Sequence, residues 1–507
     1  MGKETARQRL KGKKGSQRRT AHRKMAVSLP ILLTLSLLFI TGLLLRAHGF
    51  ARPHKSSFDE LLYTVMGFQL TKDMTDYSSA HLYTRLRKQG RDLPEHYGEP
   101  LFKHPPLYCY LISFVNRISD PTDPQSPMRI SFPLARRNSS RVSLLLGCLT
   151  IFVVYLIGKN LYDHRVGLLA ALLLTIDPIH WICSQKIWME TTLAFFVASA
   201  LLFFVLGRRK PRYFILSGVC IGLASLTKFL GILTLPIILF YTLLAERKLF
   251  RRKEFTLLIL FPFVLQAPWI GWNYQVYGPE FLTNMFQFGK GTTRLLEKAV
   301  RLIPPFSALL LATLLLLFTK NRSVQRAREK VRTIFTPKVV LALSALPFAL
   351  FFIAYGPETV NIVKNILQWG FIPSHGRARG IFTGEPWYFY LERLVEYSPL
   401  YLFALLSPFL LRRKEKGDLL LLLSSGGLLA FFILWGAFQC RYILPAIPLL
   451  IVLSARTQIF VYDWARRARR GWLKIVIVLL CVVVSYFYIK TVWTDFAFAL
   501  PNKPIYF

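Results

Sequence analysis

Thirteen apolar runs are spread along this chain, at about 25–45, 141–158, 166–182, 188–206, 213–227, 229–245, 256–273, 303–319, 338–355, 398–411, 419–437, 442–456 and 472–490. A hydrocarbon core about 30 Å thick is crossed by about 20 helical residues, and many of the runs approach that length. With 53% of its 507 residues hydrophobic, the chain carries more apolar surface than one soluble core of this size would use. Backbone groups in lipid must bond within their own segment, which selects helices. The expectation is an all-α polytopic membrane protein with about 13 transmembrane helices.

The first run, Met25 to Leu45, follows a tail rich in Lys and Arg between Lys3 and Lys24. A cleavable signal would have an apolar region of only about 7–15 residues, so the run reads as a retained anchor even though Ala47-His48-Gly49 would pass as a cleavage site. A net charge of +39 would suggest nucleic acid in a soluble protein. Here the excess sits in short loops between apolar runs, where the positive-inside bias and anionic headgroups account for it, and no nucleic acid is expected. With the tail cytoplasmic, thirteen crossings put the basic loops 159–165, 208–212, 246–253, 320–338, 412–416 and 456–470 inside. Fusing 213–245 into one crossing would send every later cluster outside. The break at Thr227-Lys228 is therefore expected, with the carboxyl terminus on the outer face.

Residues 1–24 then form a basic cytoplasmic tail and 25–507 a single transmembrane domain, with long outer segments at 46–140, 274–302 and 356–397. The first of these contains nine acidic residues among its bases. Within it Phe58 to Gly67 has helical apolar spacing and suits a short helix along the interface, and a second is expected from Leu107 to Ile118, behind Pro105-Pro106. Asn138-Ser139-Ser140 is a glycosylation sequon so near the next crossing that it reads as chance. Six cysteines show no metal or redox spacing; Cys109 and Cys440 would both face outward, which leaves a disulfide between them open.

The adjacent acids Asp59-Glu60 just past the first run have two readings. Acids favour a helix amino terminus, and a carboxylate beside a bilayer can also take a proton from an attacking hydroxyl. His104, before two prolines, and Glu190, at the outer end of the fourth run, favour the second. Arg441 and Lys228 place cations at the same membrane edge, where phosphate is a natural counter-ligand and snorkelling the plainer explanation. Trp387 and Tyr388, in Gly384-Glu385-Pro386-Trp387-Tyr388, suit an interfacial aromatic belt or a surface for sugar stacking. Asp177 and His180 have a spacing that could bind metal, yet Asp177-Pro178 reads better as a helix end at the outer surface. No phosphate-binding glycine loop, nucleotide-binding fold or Ser-His-Asp arrangement is present in the pattern, so no nucleotide is expected; a divalent metal is left open.

With these elements in this order, the chain resembles the GT-C glycosyltransferases, and among them the phospholipid-carrier-dependent enzymes of the protein O-mannosyltransferase and aminoarabinose transferase type (glycosyltransferase family 39-like). The resemblance is carried by Asp59-Glu60, Pro105-Pro106-Leu107, Arg141-Val142-Ser143, Gly222 to Lys228, Ala267-Pro268-Trp269 and Arg441-Tyr442-Ile443-Leu444-Pro445. It implies a GT-C fold and inverting transfer of one sugar from a polyprenyl-phosphate or dolichyl-phosphate donor to a lipid, glycan or protein acceptor on the outer face. Asp59 matches the catalytic base, Glu60 would orient the site or help hold a cation, and Glu190 matches a second acidic position. Arg441, with Tyr442 beside it, His104 and Lys228 would receive the phosphate, and Trp387 and Tyr388 would line the substrate. His104 stands where some relatives have Lys, and Glu385 where a His is common. The absence of the soluble modules of some eukaryotic relatives points to a bacterial inner membrane. A lipid-linked saccharide flippase and an oligosaccharide ligase are the competing functions.

Overall fold

The computed structural model describes residues 29–48, 57–88, 104–119, 132–278, 388–411, 415–435 and 439–467, with isolated positions at 90 and between 471 and 490. In chain order the α-helices are α1 (Leu29–His48), α2 (Phe58–Lys72), α3 (Ala80–Lys88), α4 (Leu107–Ser119), α5 (Phe132–Leu161), α6 (His164–Ile176), α7 (Pro178–Ser184) and α8 (Met189–Gly207). There follow α9 (Tyr213–Thr227), α10 (Thr234–Ala245), α11 (Lys253–Tyr277), α12 (Phe389–Tyr397), α13 (Tyr401–Leu405), α14 (Ser407–Leu410), α15 (Lys416–Trp435) and α16 (Ile447–Arg467). Short 3-10 turns at Phe229–Leu233, Arg247–Arg251 and Cys440–Ala446 join some of them. No strand occurs among the described residues.

Six of these elements are long and apolar enough to cross a membrane, seven if the bent pair α6–α7 is one span. The chain is an integral membrane protein. Two shorter apolar helices, Tyr213–Thr227 and Phe229–Ala245, flank the break expected at Thr227-Lys228. Lys228 is extended there, and the chain turns back so tightly that a Cβ on Gly231 would collide with the backbone of Ala224. The apolar run at 398–411 divides into α13 and α14 just before Pro408. The runs at 303–319 and 338–355 lie outside the described residues, as does almost all of 472–490.

The core is built where α5 packs on α6 and α8, α8 on α9, and α9 on α11, with α16 closing against α6, α13 and α15. The expected interfacial helices form, as α2 and α4, and pack on each other through Leu62, Met66, Leu70, Tyr108 and Ile112. Gly67 permits that approach, because a Cβ there would collide with the Ile112 side chain. Helix α2 starts at Ser57 because Ser57 and Glu60 make a reciprocal capping box, which satisfies two backbone donors.

Helices take residues from both ends of the expected 46–140 outer segment, since α1 runs on to His48 and α5 begins at Phe132. The sequon at Asn138 falls inside α5 with the asparagine buried, closed to glycosylation. Cys109 and Cys440 are buried free thiols, so the open disulfide is not formed.

Basic loops that the sequence spreads over 300 residues meet at one end of the bundle. Arg208 pairs with Glu246 at 2.6 Å, Arg165 with Asp463 at 3.0 Å and Arg456 with Glu415 at 3.1 Å. At the centre of this end, fully buried Asp418 accepts from the Tyr162 hydroxyl at 2.6 Å, from Arg456 Nε at 3.4 Å and from the Glu415 N–H at 2.9 Å. Removing one partner from such a cluster strands the others. Asp418→Ala is expected to destabilise the protein by about 3 kcal/mol, read as a lowered thermal unfolding midpoint in detergent, and Asp418→Asn by less.

Candidate active site

The opposite end of the bundle gathers four charges from four separate stretches. Asp59 comes from the first turn of α2, Glu190 from the first turn of α8, Lys228 from the residue after α9, and Arg441 from the 3-10 turn Cys440–Ala446. Arg441 Nη2 lies 2.6 Å from Asp59 Oδ2, and Lys228 Nζ lies 2.9 Å from Glu190 Oε1. Each carboxylate therefore faces a cation. A buried charge without such a partner is expensive, which is why the pairs hold these distant segments together.

The Tyr442 ring lies between the two cations, 4.3 Å from Lys228 Nζ and 5.2 Å from the Arg441 guanidinium carbon. Trp188 offers Arg441 a second ring at 4.9 Å. Aromatic faces attract cations through their quadrupole and fix them without neutralising them. Gln439 Oε1 accepts from Arg441 Nε at 2.8 Å, and the Gln439 N–H donates to the Tyr390 hydroxyl at 3.3 Å. The guanidinium is thus held on several sides.

The two acids differ in access. The Asp59 side chain is 26% exposed and that of Glu190 4%. Only Asp59 is open enough for an incoming hydroxyl to reach. Glu190 Oε2 is buried without a hydrogen-bond partner among the described residues, so Glu190 serves Lys228 first.

Glu60, adjacent in sequence, points elsewhere. Its Oε2 accepts from the Ser57 N–H at 2.9 Å and its Oε1 from the Ile187 N–H at 3.3 Å. The carboxylate is committed to backbone, fastening α2 to the stretch before α8. Trp188 Nε1 adds a bond to Ser57 Oγ at 3.2 Å across the same seam.

His104 meets the Tyr63 ring edge-on at 5.9 Å, and its carbonyl accepts from the Tyr77 hydroxyl at 2.6 Å. Tyr63 lies one helical turn beyond Asp59 on α2. Burial first, then the Asp59 and Glu190 charges, hold its hydroxyl well above the ordinary value, so it stays protonated and able to donate. Tyr388 stands at the start of α12, and Trp387 lies outside the described residues.

Sequence reasoning missed Tyr63, Trp188 and Gln439 as parts of this end. Tyr63 has a legible signal, its four-residue spacing from Asp59. Gln439 has one too, its two-residue spacing from Arg441, whereas Trp188 has none, because Ser57 and Arg441 lie far away in the chain.

Beside the charges runs a groove of about 350 Å³ between the first-loop elements and α11. Tyr77, Tyr110, Leu226, Trp269, Trp272 and Tyr277 are among its walls. Two of its walls are tied to site residues through the chain: Leu226 is two residues before Lys228, and the Tyr77 hydroxyl bonds the His104 carbonyl.

Asp177 and His180 do not form a metal pair, since Asp177 Oδ1 caps α7 at the His180 N–H and His180 Nδ1 faces Arg46. No group of three or more His, Cys, Asp or Glu suited to a metal occurs among the described residues. With Asp59 and Glu190 each turned to a cation, this donor set does not fit a divalent ion.

Residues 103–272 match the family model described as dolichyl-phosphate-mannose-protein mannosyltransferase. Among solved structures, archaeal oligosaccharyltransferase AglB from Archaeoglobus fulgidus, in complex with an inhibitory peptide and a dolichol-phosphate, is similar with a TM-score of 0.56 and 20% identity over 94% of this chain. The chain has the GT-C fold. The same archaeon's oligosaccharyltransferase tethered with an acceptor peptide gives a TM-score of 0.54 and 19% identity, over 93% of this chain and 56% of that one. This GT-C chain covers 57% of the AglB chain, little more than half its length. ArnT from Cupriavidus metallidurans, bound to undecaprenyl phosphate, is 16% identical over 87% of this chain and 80% of its own, with a TM-score of 0.39. No curated protein matches the chain.

The pairing in this GT-C site is testable without substrate. Lys228→Met strands the Glu190 charge and is expected to lower stability by about 3 kcal/mol, whereas Lys228→Met with Glu190→Gln regains most of it. Thermal unfolding of the purified single and double variants measures the difference.

Proposed function

We propose that this protein is an inverting glycosyltransferase that moves a single sugar from a polyprenyl-phosphate donor to a lipid, glycan or protein acceptor on the outer face of the membrane. The observation that carries it is the partly open Asp59 carboxylate set 2.6 Å from Arg441, with Lys228 held across the Tyr442 ring. A base and a pair of cations are what displacement of a lipid phosphate from a sugar requires.

In this scheme the donor phosphate engages Arg441 and Lys228. Drawing Arg441 toward phosphate removes the cation from Asp59 and makes that carboxylate a better proton acceptor. Asp59 then takes the proton of the acceptor hydroxyl while the oxygen attacks the sugar's anomeric carbon on the face opposite the phosphate. The bond from anomeric carbon to phosphate oxygen breaks, and the charge left on the lipid phosphate falls on the two cations. Phosphate needs no general acid to leave, so one carboxylate suffices, in contrast to the two of glycoside hydrolysis. Preorganised cations at the departing group lower the barrier by about 3 kcal/mol or more. Trp188, Tyr442 and Gln439 supply the preorganisation. Glu60, fastened to backbone, orients the Asp59 helix, and His104 and Tyr388 with Trp387 border the substrates.

The apolar groove walled by Leu226 and the aromatic residues of α11 suits the isoprenoid chain of the donor, delivered sideways from the bilayer. The match of 103–272 to a mannosyltransferase family supports transfer of one sugar rather than a preassembled oligosaccharide. A flippase would put its polar groups near the midplane, whereas these charges cluster at the helix ends. Basic residues at the other end support a cytoplasmic amino terminus, with the site and the carboxyl terminus outside. Residues 1–24 are then a cytoplasmic tail, 25–507 one transmembrane domain, and the location a bacterial inner membrane.

Asp59→Asn keeps the shape and removes the base. Transfer from synthetic polyprenyl-phosphate sugars in proteoliposomes is expected to fall by about 10²- to 10⁴-fold, with membrane insertion unchanged. Mass spectrometry of the wild-type product should show a single-sugar increment. Undiminished transfer in the variant refutes the role of Asp59, and a multi-sugar increment refutes the donor class.

A further inference from the structure

Arg46 is a fully buried charge that the transfer scheme does not use. It stands near the end of α1, and its guanidinium has no carboxylate to itself, because Asp177 is engaged by the His180 N–H at 2.8 Å and by the Tyr401 hydroxyl at 2.7 Å. Nη1 donates to the carbonyls of Gly42 at 3.2 Å and Thr175 at 3.1 Å. Nη2 donates to the Leu174 carbonyl at 3.2 Å and to His180 Nδ1 at 2.9 Å. His180 must accept there, so its proton sits on Nε2.

These partners mark the break in a spanning helix. Helices α6 and α7 meet at an angle of 58°. Pro178 has no N–H, and the carbonyl four residues back, Leu174, is the one that loses its helical donor. Arg46 supplies that donor, and another for Thr175. An arginine fork replaces the hydrogen bonds that the bend removes.

What the bend carries is the active site. Beyond α7 come Ile187, whose N–H holds Glu60, Trp188, which faces Arg441 and bonds Ser57, and Glu190, which holds Lys228. The carbonyl of Leu45, next to Arg46, accepts from Trp181 Nε1 at 2.9 Å and Gln185 Nε2 at 3.1 Å, clamping α7 along its length. Desolvating a guanidinium is costly, and in this position the cost fixes the ledge on which the cations' partners stand.

We infer that Arg46 is a positioning residue: through His180 and the two α6 carbonyls it sets the angle of α7 and thereby the placement of Trp188 and Glu190 against the phosphate cations. This rests on the lipid-phosphate function proposed above. His180 is the contact that transmits the effect, since it alone among the four acceptors belongs to α7.

The test uses the full chain in nanodiscs, with farnesyl phosphate as probe, measuring its dissociation constant and the thermal midpoint for wild type, Arg46→Met, His180→Leu and His180→Asn. Arg46→Met and His180→Leu should each weaken binding by about tenfold or more, and His180→Asn, whose side-chain oxygen can accept in place of Nδ1, should stay within about threefold of wild type. The asparagine rescue separates positioning from bulk packing, because leucine fills the volume as well as asparagine does. If Arg46→Met cannot be purified, the two His180 variants decide alone. Saturable binding by wild type with His180→Leu unchanged overturns the inference, as does equal loss in His180→Leu and His180→Asn. Wild type that fails to bind farnesyl phosphate overturns the lipid-phosphate function itself.

Discussion

The ion pair between Asp59 and Arg441 joins the first-loop helix α2 to the turn that opens the last described helix, at the edge of a membrane where neither charge could stand alone. The neighbouring pair of Lys228 and Glu190 repeats the arrangement from two other helices, and Tyr442 separates the cations. Low dielectric makes each unpaired charge costly, so once apolar packing brings the four segments together each carboxylate has to meet a cation. The capping box and the bent span are arranged around that cluster.

The pairs that stabilise the resting site are also those a phosphate would reorganise. An anion arriving between Arg441 and Lys228 competes with Asp59 and Glu190 for their cations. Glu190 is nearly closed to solvent and keeps Lys228 in position, whereas Asp59 is partly open and can exchange its partner for a proton. Burial alone thus gives two chemically similar acids different access to solvent. Glu60 differs from Asp59 too, because a capping box consumes its carboxylate.

Order along the bent span explains how the site is held. Pro178 breaks the helix and frees carbonyls that lipid cannot solvate, Arg46 binds them, and the redirected chain delivers Ile187, Trp188 and Glu190 to three different partners. A defect introduced by one residue is repaired by another from a different helix, and the repaired geometry positions the chemistry.

The membrane class, the short helices α2 and α4, and the break after Thr227 were legible in the sequence because each depends on local pattern: apolar length, helical spacing, proline and charge bias. Asp59, Glu190, Lys228 and Arg441 were legible as candidates because charge at a membrane edge is rare. Their pairing was not, since nothing local says which acid meets which cation. The division of 398–411 into α13 and α14 had a local signal in Pro408, which has no N–H to continue the helix. Glu60 was legible as half of a capping box with Ser57 three residues before it, whereas its second partner, the Ile187 N–H, lies far along the chain. Arg46 looked like the first residue of a loop, and its burial depends on carbonyls more than a hundred residues away. The sequence by itself determined that helices form and where several of them begin and break, for these follow from hydrophobicity and local propensity. The tertiary structure alone decided which acid meets which cation and which carboxylate stays partly open, because that depends on distance, burial and the partners that long-range folding supplies.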